Sequence, residues 1–372
     1  MVKSSKLIGR EAPSITSRCV RYRWCIAASL LTLASLFLAC AAAAEPDTEG
    51  IEETTADFSR FKLGGYLTLR VRDLDDETAR FDVRDASLFA TWMPGSRWQI
   101  FTEIELENGI TIDDDGINSS DAELAVERLY ADYFAHPTVT LRIGKFLTPI
   151  GRWNEIHADP LVWTVSRPLV TSLPFGNHAS GLAVRGTIGQ PDGTSLDYVA
   201  YVDYGEALDP SHEESTSEDI EFPGFTNVFD NAIGGQIRYH FWNERAEIGL
   251  SLADFDVKDQ SERKHLVGVD GRLLWHGAEI TSELIYRASS GREESEFGAY
   301  VQAVVPLIEQ WYGVARYEHY DGALQATRAN LTTLALAYRP RPPLVFKLEY
   351  RTGDDNDSVA ANGVLASFGI LF

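Results

Sequence analysis

The sequence predicts an all-β fold: a transmembrane antiparallel β-barrel of about 16 strands, with a long third loop folded into the lumen. Three observations carry that expectation. From residue 60 onward, apolar and polar residues alternate with period two, which is the spacing of a strand with two different faces. Short and long connections alternate along the chain. Aromatic residues collect beside the short connections.

The N-terminus is read separately from the barrel. Lys3, Lys6, Arg10, Arg18, Arg21 and Arg23 form a basic region, Ile26 to Ala39 is an apolar run, and Ala41 to Ala44 supplies small residues for cleavage. This is the pattern of a secretory signal peptide spanning residues 1–44, cut after Ala44. The apolar run is short for a membrane-spanning helix. Residues 45–59 form an acidic segment on the periplasmic side, and residues 60–372 form the barrel.

The strands follow in order. Phe61, Leu63, Leu67, Leu69 and Val71 share one face of the first run, and Lys62, Tyr66, Thr68, Arg70 and Arg72 share the other. Such runs recur near 80–93, 96–107, 122–134, 138–146, 180–188, 194–204, 231–241, 245–256, 264–275, 277–288, 295–305, 310–320, 327–338, 343–353 and 363–372. Most approach the roughly 9–11 residues that a tilted strand needs to cross a bilayer. Every second connection is short, as at Pro94-Gly95, His136-Pro137 and His276, and the ones between are long and polar. Transmembrane barrels have this asymmetry, with short turns on one side and long loops on the other. Trp92, Trp98, Tyr133, Phe134, Phe241, Trp242, Trp275, Trp311 and Tyr338 lie beside the short turns, as an interfacial girdle would. The last run ends on an aromatic residue, Phe372. This resembles the C-terminal signal read by the barrel-assembly machinery of Gram-negative bacteria.

Composition excludes several functions. Cys19, Cys25 and Cys40 all lie within residues 1–44, so the mature chain has no disulfide and no thiolate metal site. With 55 acidic against 33 basic residues the net charge is −22, which argues against nucleic acid as a partner. No phosphate-binding or dinucleotide glycine motif and no zinc-protease motif is present, and no cofactor or metal is expected.

A closed sheet turns its apolar face to lipid and its polar face to a lumen that side chains do not fill at this width. The lumen face should then carry Lys62, Arg70, Arg72, Arg142, Arg185, Arg238, Arg272, Arg287, Arg316, Lys347 and Arg351. It should also carry Glu103, Glu105, Glu107, Asp132, Asp197, Asp203, Glu247, Asp270, Glu279, Glu283, Glu318 and Glu349. Consecutive glutamates 103, 105 and 107 form an acidic ladder. Leu147 to Ala179 is too apolar to remain in solvent, so it should fold inward and narrow the pore. Its charged candidates are Arg152, Glu155, His157, Asp159, Arg167 and His178, with Lys145 just before it and Arg142 on the preceding strand. The acidic loops, among them Asp113 to Asp115 and the stretch from Glu206 to Glu221, are candidates for divalent-cation bridging to lipopolysaccharide.

RIGKFLTPIGRWN (Arg142 to Asn154), ERLYADYF (Glu127 to Phe134) and GGY (Gly64 to Tyr66) resemble segments of the phosphate-selective porin O and P family. The resemblance implies a trimeric outer-membrane channel with an inward third loop and basic residues that bind anions. That family lines its pore densely with lysine and arginine, whereas this sequence has few lysines and many lumenal acids. The expected function is passive diffusion of small hydrophilic solutes or inorganic anions across the Gram-negative outer membrane. The protein would sit in outer-membrane lipid as a homotrimer and would not be an enzyme. Two other readings remain open. One is a barrel-embedded lipid hydrolase using His178 and Ser180. The other is a plugged structural or adhesion barrel.

Overall fold

The computed structural model describes residues 60–372 apart from 76, 115, 120–121, 157, 172, 205–228, 258–261, 292–293, 324–327 and 354–360. The signal segment, the acidic segment 45–59, His157, Asp115 and the acidic stretch 206–221 lie outside the described residues.

The strands are β1 (Phe61–Leu74), β2 (Arg80–Trp92), β3 (Trp98–Asp113), β4 (Gly116–Asn118), β5 (Glu123–His136), β6 (Val139–Leu147), β7 (His178–Gly189), β8 (Ser195–Asp203) and β9 (Phe229–Phe241). They continue as β10 (Ala246–Val257), β11 (Lys264–Trp275), β12 (Ala278–Ser289), β13 (Glu296–Ile308), β14 (Trp311–Asp321), β15 (Ala329–Arg341), β16 (Leu344–Gly353) and β17 (Gly363–Leu371). β4 is a short return paired only with the end of β3, and β3 pairs directly with β5. The other 16 strands form a closed antiparallel barrel, each beside its neighbour in sequence. β1 and β17 pair from Tyr66 with Leu371 to Leu74 with Gly363, so the wall has no free edge.

Burial along the strands is the reverse of a soluble protein's. Leu88, Ile104, Ile143, Leu182, Ile233, Leu252, Leu334 and Leu348 are exposed on the outside, while Arg70, Glu103, Arg316 and Glu349 are buried within. Only a lipid environment makes such an exterior favourable, at roughly 1.5–3 kcal/mol for each large apolar side chain removed from water. Trp92, Trp98, Trp242 and Trp275 are exposed at the short-turn rim, where the girdle was expected. Trp98 packs on Tyr133 with ring centroids 4.8 Å apart, and Trp311 stacks on Tyr338 at 4.5 Å.

The seam explains one of the glycines of the GGY segment. Gly65 and Phe372 exchange both backbone hydrogen bonds, each 3.0 Å. A Cβ on Gly65 would lie 2.6 Å from Cζ of the Phe372 ring. The terminal aromatic therefore lies across a backbone stripped of its side chain.

Residues 148–177, between β6 and β7, pass into the barrel. Asp159–Leu161 and Leu169–Thr171 each make a single 3-10 turn. Ile150, Trp153, Val162, Leu169, Val170, Leu173 and Phe175 are buried in one cluster with wall residues Phe146, Tyr201, Phe255, Ile285, Tyr300 and Tyr320. Val165 packs separately against Leu74 and Leu365 at the seam. The apolar composition that made this loop unfit for solvent is thus the reason it lies inside.

Candidate functional site

The loop is held by acids of the wall. Glu283 on β12 accepts from the Trp153 amide at 2.7 Å, and Glu318 on β14 accepts from the Leu169 amide at 2.8 Å. Glu349 on β16 accepts from the amides of Val165 and Ser166 at 2.7 and 3.1 Å and from the Ser166 hydroxyl at 2.5 Å. Glu279 accepts from the Trp163 indole at 3.0 Å. Cations do the converse for the loop's carbonyls. Lys347 donates to the backbone of Asp159 and Thr164 and to the Asp159 carboxylate. Arg316 donates to Thr164 and Ser166, and Arg339 caps the carbonyls of Pro160, Leu161 and Val162. Buried amides and carbonyls outside regular structure need such partners, and the lumen wall supplies them. Gly151, in the left-handed region at φ +65°, brings the chain against Glu283, whose carboxylate would collide with any Cβ there.

Of the predicted pore residues, Arg142 donates to Asp132 at 2.7 and 2.8 Å and lies over the Tyr130 ring at 3.6 Å. Arg152 is ion-paired with Glu247, which Arg272 also reaches at 3.1 Å. Burial, then the nearby positive charges of Arg272 and Arg238, lower the pKa of the Arg152 guanidinium. Glu155 accepts from Arg238 at 2.9 Å. Lys145 is fully buried beside Ser180 in register, and Arg167 is half-buried. Arg70 and Arg72 lie 3.7 and 3.6 Å from Asp82. The acidic ladder is occupied in part: Glu103 holds Arg128 at 2.5 Å and the Ser87 hydroxyl at 2.7 Å, and Glu105 takes the Tyr66 hydroxyl at 2.9 Å. Glu107 is half-buried on the same face. The lumen-facing charges are largely satisfied locally, strand to strand or strand to loop.

His178 and Ser180 are both buried. The His178 ring lies 3.0 Å from Glu127, and the Ser180 amide donates to Asp203 at 2.5 Å. A hydroxyl that attacks a lipid ester must be reachable, and this one is enclosed.

Two hollows are prominent. One, of about 930 Å³, is bordered by Leu182, Val184, Ile233, Leu252 and Val267 of the outward apolar face, and suits acyl chains. The other, a vestibule of about 650 Å³, is walled mainly by β5 to β9 and reaches the short-turn rim. Four arginines (128, 142, 185 and 238) and three acids (Asp132, Glu155 and Asp197) line it. Sequence reasoning placed Arg185 and Arg238 on the lumen face beside Arg142 but ranked only Arg142 and Glu155 of this lining as constriction residues. The signal available for Arg185 was its position on the polar face two residues before Thr187 and near a short turn.

No family model matches the chain. An uncharacterized protein of Aquifex aeolicus (strain VF5) is 31% identical over 341 residues, covering 79% of this chain and 76% of that protein. The chain belongs to the same family as that Aquifex protein. Solved structures share its fold. OmpF of Salmonella typhi, in complex with daunomycin, matches with a TM-score of 0.58 at 11% identity, over 84% of this chain and 97% of that one. The anion-selective porin from Comamonas acidovorans matches at 0.51 and 14% identity, over 84% and 98%. The in-vitro folded trimer form of OmpT, an outer membrane protein of Vibrio cholerae, matches at 0.50 and 10% identity, over 84% and 97%.

Proposed function

We propose that the protein is an outer-membrane porin through which small hydrophilic solutes, anions among them, diffuse passively. The observation that carries this reading is the polar interior of a closed barrel, narrowed by residues 148–177. A strap fixed this densely keeps a passage at constant width. Among the acids of that interior, Glu279, Glu283, Glu318 and Glu349 serve to hold the strap, as acceptors for its N–H groups.

On this reading residues 1–44 direct export and Phe372 serves recognition by the assembly machinery. Acidic loops bridge to lipopolysaccharide through divalent cations, and three copies associate, as in the trimer form of the Vibrio protein. The resemblance of Arg142 to Asn154 to phosphate-selective porins and the shared fold of an anion-selective porin both favour anions. Planar-bilayer recording tests this. Stepwise conductance with a reversal potential directed toward chloride is the expected result in a potassium chloride gradient. A cation-directed potential would keep the pore and remove the anion preference. Silence from folded protein would move the assignment to a plugged barrel.

A further inference from the structure

We infer that the vestibule binds small hydroxylated carboxylates, with Arg185 holding the carboxylate. The inference deepens the porin reading and rests on it for the ligand's route of access.

The argument is one of charge accounting among the lining residues. Asp132 is taken by Arg142 through two hydrogen bonds. Glu155 is taken by Arg238, which also reaches Asp270 and the Gly151 carbonyl. Asp197 accepts from the Thr187 hydroxyl at 2.6 Å and lies 2.8 Å from the His240 ring. Arg128 is held by Glu103 outside the lining set. Arg185 is left. Among the described residues it forms no ion pair and no side-chain hydrogen bond, and it is exposed within the hollow.

A guanidinium offers a planar fork that fits a carboxylate with two parallel bonds. Thr140 sits opposite Arg185 in register, and Gln99 also lines the hollow, so hydroxyl groups of a ligand have partners. Three carboxylates in the lining oppose a compact dianion such as phosphate. One guanidinium without an ion-pair partner offers its fork to a single carboxylate instead. The volume falls within the roughly 300–1,000 Å³ of small-molecule sites.

The test is isothermal titration of the purified full-length protein in detergent with sodium gluconate, beside bilayer recording of the same preparation. Gluconate should bind saturably and reduce the chloride current in a concentration-dependent way. Arg185→Gln should weaken binding about tenfold or more. Arg328→Gln, which removes an exposed arginine paired with Asp321, should leave binding as it is. Conductance with no gluconate binding would overturn the inference while the porin reading stood. Binding equal in Arg185→Gln, or inorganic phosphate displacing gluconate at lower concentration, would also overturn it. Saturable, Arg185-dependent binding to a folded but silent protein would leave the ligand assignment intact and sink the open pore.

Discussion

Glu349 accepts three hydrogen bonds from two consecutive loop residues, and the Ser166 hydroxyl among those donors also accepts one from Arg316. Replacing it with Gln keeps the shape but trades a charged acceptor for an amide with only one acceptor oxygen. Hydrogen bonds to charged groups are worth about 1.5–3 kcal/mol, so most of the local anchorage should go. Chymotrypsin should then cleave after Trp163 faster in Glu349→Gln than in the native protein, as read by mass spectrometry of the fragments. Gly151→Val should act more severely, because its side chain would meet the Glu283 carboxylate and its backbone would be strained at positive φ. We expect a lower thermal midpoint for Gly151→Val, measured as loss of heat-modifiable migration on gels. These roles were not legible in the sequence. Glu349 reads there as an inward-facing acid on an alternating strand. Its donors are more than 180 residues earlier, and nothing local distinguishes an acid facing water from one facing a backbone amide.

Strands were the most legible elements. A wall wet on one side and in lipid on the other enforces period two over its whole height, so β1, β12 and β16 could be bounded to within a few residues. The inward course of residues 148–177 was also readable, because eleven or so apolar residues in one connection cannot stay in water. β4 was not foreseen, since three residues are too few to show a period. At the seam, the register of β1 against β17 depends on Gly65 leaving room for Phe372. Gly65→Leu should therefore lower the yield of folded barrel, with the unfolded fraction visible as the slower-migrating band without heating. Wild-type yields in that variant would show that the seam does not need the gap.

At the scale of the whole molecule, the porin reading makes the loop the element that sets how wide the passage is. Deleting residues 160–172 and joining the ends with a short glycine linker should raise single-channel conductance severalfold and should not abolish barrel formation. The wall is built from neighbouring strands and does not use the loop for its backbone pairing. The same deletion leaves Lys347, Arg316 and Glu349 facing open water, so conductance should also become more sensitive to ionic strength as those charges lose their partners.

The anchors of the loop also fix an order of events in time. Lys347 meets Asp159 across 188 positions of chain, and Glu349 meets Val165 across 184. During synthesis the loop emerges long before the strands that will hold it. Its tryptophans and leucines must wait without a partner until the final quarter of the chain arrives. Closing a contact over such a span is slow, and exposed apolar groups invite aggregation meanwhile. Docking of the loop is thus a late event that reports a completed barrel. A chain truncated after β15 should carry an undocked loop, bind hydrophobic dyes and be cut at Trp163, whereas the full chain is protected.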